Sequence, residues 1–219
     1  CAKWEKNETP TPDPLPDIDP KPEPKPDPKP TPSETIQAPQ IVSVQSIAKK
    51  KITAVQITVE AVQGATGYQI YRKKGSKVTM IGQTSGTVFL DQNPVSGKSS
   101  YYAKAIKGSL TGKEGSAKKI TLPKATTKVT AKAKTDKTVV LSWKKVKGAT
   151  GYLVYRSTKK NGSYQRIAVL KKGTKCTYTD KKGLKKGMKY HYRIVTVKKK
   201  TYSPAKTTKA VKIKAAKKK

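Results

Sequence analysis

From residue 41 to the C terminus, apolar residues recur at every second position in short runs, and no stretch carries the 3.6-residue stripe of an amphipathic helix. The pattern is clearest in the second half. In "TVVLSW", Val139, Leu141 and Trp143 share one face, and in "YHYRIVTV", Tyr190, Tyr192, Ile194 and Thr196 do the same. Between them lie "YLVYR", "YQRIAVL" and "CTYTD", and "AVKIK" closes the series with Val211 and Ile213. Turns rich in Gly, Asn and Lys separate the runs. One of them, "KNGS", places Asn161-Gly162 at the centre of a hairpin, which predicts φ > 0 at both residues. About seven short strands in such a span predict a sandwich of two sheets, so the chain reads as all-β.

A near-repeat shows how many sandwiches to expect. "GATGYQIYR" at Gly64 to Arg72 returns as "GATGYLVYR" at Gly148 to Arg156. The glycines predict a turn, Tyr68 and Tyr152 open the next strand, and Ile70 and Val154 continue its inward face. Two copies follow, over 41–123 and 124–219.

The second copy resembles the fibronectin type III family, in the form common among bacterial surface proteins, and the likeness extends over 41–123 and 124–214. Trp143 stands where that family has its strand B core tryptophan. Gly148 to Tyr152 matches its turn into strand C, and Leu184, Gly187 and Tyr190 in "LKKGMKY" match its L-x-x-G-x-x-Y step. The resemblance implies tandem immunoglobulin-like sandwiches, with Tyr190 as a corner tyrosine bonded to backbone upstream. The first copy departs from the pattern. Val59 replaces the tryptophan, and Tyr101 aligns with Tyr192, which leaves Ser99 in the corner position. A thinner core is expected there, built around Tyr68 and Tyr101, against Trp143, Tyr152, Leu184 and Tyr190 in the second copy.

Residues 1–40 are of another kind. Prolines at positions 10, 12, 14, 16, 20, 22, 24, 26, 28, 30 and 32 remove donors and force the intervening residues to extended conformations. The expectation is a disordered polyproline II stalk reaching roughly 70 Å. Ahead of it, "CAKWEKNETPTP" resembles the mature N terminus of a bacterial lipoprotein, with Cys1 as the acylated residue; the alternative is an arbitrary chain start. Two acyl chains would anchor stably where one would not. The expected location is the extracellular face of a bacterial cytoplasmic membrane, of Gram-positive type, with the membrane engaged through the lipid alone. No run of eighteen apolar residues suggests a spanning helix.

Charge changes the picture of the second copy. The formal net charge is +36, distributed as −3 over residues 1–40, +10 over 41–123 and +29 over 124–219. Such a field attracts polyanions. In the family topology, Lys144, Lys145, Lys147 and Lys198 to Lys200 lie at the pole near the N terminus of the copy. Lys159, Lys160, Lys181, Lys182, Lys185, Lys186 and the tail residues Lys217, Lys218 and Lys219 lie at the other, which alone is expected to be free of the neighbouring copy. That distal set is the candidate polyanion-binding surface.

Chemistry offers little else. The folded copies hold five carboxylates, Glu60, Asp91, Glu114, Asp136 and Asp180, none of them paired in sequence for acid–base work. Asp91 and Asp180 end equivalent strands and are expected to shape turns. His191, between two inward tyrosines, is expected to face solvent, and Cys176 to be a small strand residue with no partner. No catalytic residue, metal ligand or cofactor is predicted. The expected function is a non-catalytic surface lipoprotein that presents two monomeric modules for adhesion to an anionic cell-wall or extracellular polymer, or to a surface protein. Sequence-specific nucleic-acid recognition is disfavoured, because Lys rather than Arg dominates. A structural spacer without a ligand is the alternative, and an accessory domain of an extracellular carbohydrate-active system a remote one.

Overall fold

The alternating runs pair into antiparallel sheets. A computed structural model describes residues 35–213, so Cys1, the proline-rich segment and Lys217 to Lys219 lie outside the described residues. The first copy contains β1 (Ile41–Ala48), β2 (Thr53–Val59), β3 (Gly67–Lys74), β4 (Lys77–Thr84), β5 (Val88–Asp91), β6 (Gly97–Lys107), β7 (Leu110–Glu114) and β8 (Lys118–Leu122). The second contains β9 (Thr130–Thr135), β10 (Thr138–Ser142), β11 (Gly151–Ser157), β12 (Gln165–Leu170), β13 (Thr177–Asp180), β14 (Lys189–Lys198), and three two-residue strands, β15 (Thr201–Tyr202), β16 (Lys206–Thr207) and β17 (Val211–Lys212).

Each copy has a three-stranded sheet, β1-β2-β5 or β9-β10-β13, facing a larger one. The larger sheets run β4-β3-β6-β7 with β8 also on β6, and β12-β11-β14-β15 with β16 and β17 also on β14. The fold is all-β, with tandem β-sandwiches. Between the sheets of the first lie Val55, Ile57, Val59, Tyr68, Ile70 and Tyr101; between those of the second lie Val139, Leu141, Trp143, Tyr152, Val154, Tyr190, Tyr192 and Ile194. Val59 holds in the first copy the position that Trp143 holds in the second, where Trp143 meets Tyr152 edge to face with ring centroids 5.3 Å apart.

The nonapeptide does the same work twice. Gly64 and Gly148 both take φ 75°, a left-handed turn in which a side chain would be strained. Thr66 and Thr150 donate their N–H groups to Ile106 and Val197 across the sheet, each at 2.7 Å. The hydroxyls of Tyr68 and Tyr152 accept from the N–H groups of Val62 (2.8 Å) and Val146 (3.0 Å), tying each turn back to its own core residue.

Two expectations fail. Asn161 and Gly162 do not form a tight hairpin, and neither has positive φ. Residues 158–164 make a longer loop that folds Tyr164 inward, with its hydroxyl donating to the Lys160 carbonyl at 2.9 Å. The two-residue turn belongs to the first copy, where Lys74 pairs with Lys77 across Gly75, φ 59°. The second failure concerns the contact between the copies, which is not pole to pole. The described residues 35–213 form one compact unit, because the β1–β2 turn of the first sandwich lies on the outer face of the β11–β14 sheet. Tyr155 donates to the Lys49 carbonyl at 3.0 Å, Arg166 N–H to the Lys50 carbonyl at 2.8 Å, and Tyr202 N–H to Ser46 Oγ at 2.9 Å.

This contact explains why β11 is buried on both faces. Leu153, Tyr155, Tyr164 and Val195 form a separate apolar cluster with Ala48 of the first sandwich packed against it. The position of Leu153 is taken by polar Gln69 in the first copy. Replacing Leu153 with Gln should therefore cost about 2 kcal/mol and release the contact. Small-angle scattering of the full chain should then show a broader range of separations, while circular dichroism keeps its β signature.

Candidate functional site

The lysine surface rests on a buried ionic corner that each copy builds. In the second, the Asp180 side chain is 2% exposed and pairs through Oδ2 with Arg156 Nη1 at 2.8 Å. The Tyr192 hydroxyl donates to the same oxygen at 2.9 Å, and the other oxygen accepts from Lys182 N–H at 3.3 Å. Arg156 continues to the Lys182 carbonyl at 2.6 Å. In the first copy, Arg72, Asp91 and Tyr101 repeat the arrangement, with Arg72 to Asp91 at 2.5 Å, Tyr101 to Asp91 at 2.8 Å and Asn93 N–H to Asp91 at 3.0 Å. Asp91 and Asp180 thus shape turns, but each is also a buried anion held by charge. The arginine ending each nonapeptide, to which sequence reasoning gave no role, is its counter-ion.

Tyr190 closes the loop 181–188 from the other end. Its hydroxyl accepts from Lys185 N–H at 3.0 Å and lies 3.5 Å from the Gly183 carbonyl. Leu184 packs partly buried against the core. In the first copy Ser99 stands in that corner, buried, with its Oγ unpartnered. Lys74 Nζ instead reaches the Ser96 carbonyl at 2.8 Å, and Arg72 the Asn93 carbonyl at 2.9 Å.

On the outside of loop 181–188, Lys181, Lys182, Lys185 and Lys186 are exposed. Lys186 pairs with Asp136 at 3.3 Å. Lys159 and Lys160 are exposed too, but their loop, 158–164, also lines the cleft against the first sandwich. The distal end is therefore not free of the neighbouring copy as expected, whereas Lys144, Lys145, Lys147 and Lys198 to Lys200 at the opposite end are exposed. The difference follows from the first sandwich lying along a sheet face.

His191 lies on the face opposite the core, but it is half-buried and its Nδ1 is shut off from solvent without a partner. Cys176 is a free thiol, half-buried, 3.9 Å from the Tyr152 hydroxyl. Among the described residues no three His, Cys, Asp or Glu side chains come together as a metal site, and no helix is long and apolar enough to cross a membrane.

Residues 123–211 match the fibronectin type III domain family. Fibronectin type III domains are typically non-catalytic binding or spacer modules. Similar solved structures include a two-domain fibronectin type III segment of chicken tenascin, 17% identical over 80% of this chain and 99% of its own, with a TM-score of 0.38. The first three such domains of chicken CNTN1 are 16% identical over 82% of this chain and 68% of theirs, TM-score 0.38. An Fn3-like protein from Clostridium thermocellum is 29% identical over 42% of this chain and 91% of its own, TM-score 0.35. No curated protein matches the chain.

Removing Asp180 strands the Arg156 cation. Asp180→Ala should cost the second sandwich about 3 kcal/mol, read as a lower denaturant midpoint. Burial first, and then the adjoining carboxylate, pushes the hydroxyls of Tyr101 and Tyr192 far above the ordinary value of 10.0. A pKa raised by folding stabilises fully below the unfolded value and loses its contribution as pH climbs toward the folded one. Wild type should therefore exceed Tyr192→Phe by about 1.5 kcal/mol at neutral pH. Equilibrium unfolding above about pH 10 should show that margin shrinking.

Proposed function

We propose that the chain is a non-catalytic bacterial surface lipoprotein, anchored at Cys1, whose second sandwich adheres to an anionic cell-wall or extracellular polymer. The observation that supports this most is the loop 181–188. Its backbone is pinned at one end by Asp180 and Arg156 and at the other by Tyr190, while four lysines project into solvent. A loop already ordered before contact spends less of its binding free energy on ordering.

The carboxylates of this sandwich do not oppose the field. Asp180 is buried and neutralised, and Asp136 is engaged by Lys186. The lysines at the opposite end extend the basic surface, which suits a long, irregular polyanion better than a small one. Lysine, a compact and strongly hydrated charge, suits such delocalised attraction better than fork-like recognition. The proline-rich segment, as a stalk, would carry this surface away from the membrane.

Adhesion of this kind must weaken with salt. Retention of the chain on a cell-wall polyanion column should fall steeply as ionic strength rises, and replacing Lys181, Lys182, Lys185 and Lys186 with Gln should make that dependence shallower, by roughly one unit of slope per lost contact. Asp136→Asn, which frees Lys186, should raise affinity about two- to threefold, the worth of an exposed pair. Retention that ignores salt would overturn the reading in favour of a specific protein partner.

A further inference from the structure

The two sandwiches enclose a cleft of about 600 Å³, a volume typical of ligand sites. One wall is the β1–β2 turn and the β5–β6 loop of the first sandwich, and the other is the loop 158–164 and β14 of the second. Arg193 stands between them. Its guanidinium carbon lies 3.9 Å over the ring of Tyr164, and among the described residues no carboxylate pairs with it. Lys51 adds a second positive charge at the rim, and the cleft lining contains no acid. The nearest one along the chain, Asp91, already serves Arg72, Tyr101 and Asn93. Polar side chains of the lining that can both donate and accept include Gln92, Asn93, Asn161 and Ser163.

The first sandwich does not repeat this arginine or this loop; its own cavity of about 450 Å³ holds Arg72 already paired with Asp91. The register that sets Arg193 opposite Tyr155 sets Tyr102 opposite Tyr71 there, and those rings stack on each other at 5.0 Å. The loop 158–164 is likewise replaced by the short turn at Gly75. The cleft therefore needs the arginine and the loop that the second copy alone carries, and a wall that the first sandwich supplies only while the two touch. A second cavity of about 210 Å³ continues from it, sharing Gln92, Asn93 and Arg193, so the opening is elongated.

We propose that this inter-sandwich cleft binds a single anionic sugar or polyol unit, with Arg193 taking its carboxylate or phosphate and the surrounding amides and hydroxyl taking its hydroxyl groups. A planar guanidinium held over an aromatic ring, as Arg193 is over Tyr164, presents its donors as a fork, which suits either oxyanion. The proposal rests on the polyanion reading above, and it adds a specific subsite to a diffuse surface: loop 181–188 would supply salt-sensitive adhesion, and the cleft would select the repeating unit.

The test is calorimetric titration of the full chain with two short probes, a uronate trisaccharide and a glycerol-phosphate trimer, beside column retention on the corresponding long polymers. Wild type is expected to bind one of the probes, and which one identifies the anion. Arg193→Gln and, as a variant at an exposed position, Asn161→Ala should each weaken that binding at least tenfold. Both should leave retention on the long polymer within twofold. The fourfold lysine-to-glutamine variant should do the reverse. Failure of wild type to bind either trimer, or undiminished binding by both cleft variants, would overturn the cleft proposal and leave the adhesion reading standing. Loss of long-polymer retention in wild type, with trimer binding intact, would overturn the adhesion reading and keep the cleft.

Discussion

The lysine-bearing loop of the second sandwich is arranged around the ion pair between Arg156 and Asp180. A carboxylate this deeply buried is tolerable only with a charge partner and satisfied oxygens, and Arg156, Tyr192 and the N–H of Lys182 provide both. The pair joins the end of β11 to the end of β13, thereby fixing where the next loop leaves the core. Its counterpart in the first sandwich joins β3 to β5 through Arg72 and Asp91. The same interaction thus sets the geometry of two loops that have since diverged, one carrying lysines and the other lining the inter-sandwich cleft.

That divergence separates structure from function in the repeat. Positions that keep the fold are the same in both copies: the glycines at φ 75°, the tyrosines that bond back to the turn, and the arginines. Two core positions differ, Val59 for Trp143 and Ser99 for Tyr190; the differences that bear on function lie on the opposite face of the sheet. Leu153 in place of Gln69 and Arg193 in place of Tyr102 make the outer sheet face of the second copy a docking platform with a cationic edge.

Much of this was legible in the sequence. Period-two alternation located the strands, and the matched positions of Trp143, Leu184 and Tyr190 located the core and the corner, because those features depend on local pattern. Arg156 escaped notice because its partner, Asp180, lies far along the chain and a lone strand-end arginine looks like any surface cation. The contact between copies left a clearer trace. Four apolar or aromatic residues in a row, Tyr152 to Tyr155, cannot all face one core, so Leu153 and Tyr155 signalled a second covered face. Asn161-Gly162 misled for the opposite reason: a strong local turn signal yielded to the tertiary pull that buries Tyr164 beside Arg193. The cleft had no sequence signature, since its walls come from segments far apart in the chain.

The hydrogen bond from Arg166 N–H to the Lys50 carbonyl occupies the outer edge of β12, a strand that pairs with β11 alone in its sheet. An open edge is a template for unwanted pairing, and here the neighbouring sandwich supplies the cover. The second sandwich therefore depends on the first for its cover. Transplanted without its predecessor it would carry a bare apolar face and an unguarded strand, so the pair, and not the single sandwich, is the piece that recombination can move intact.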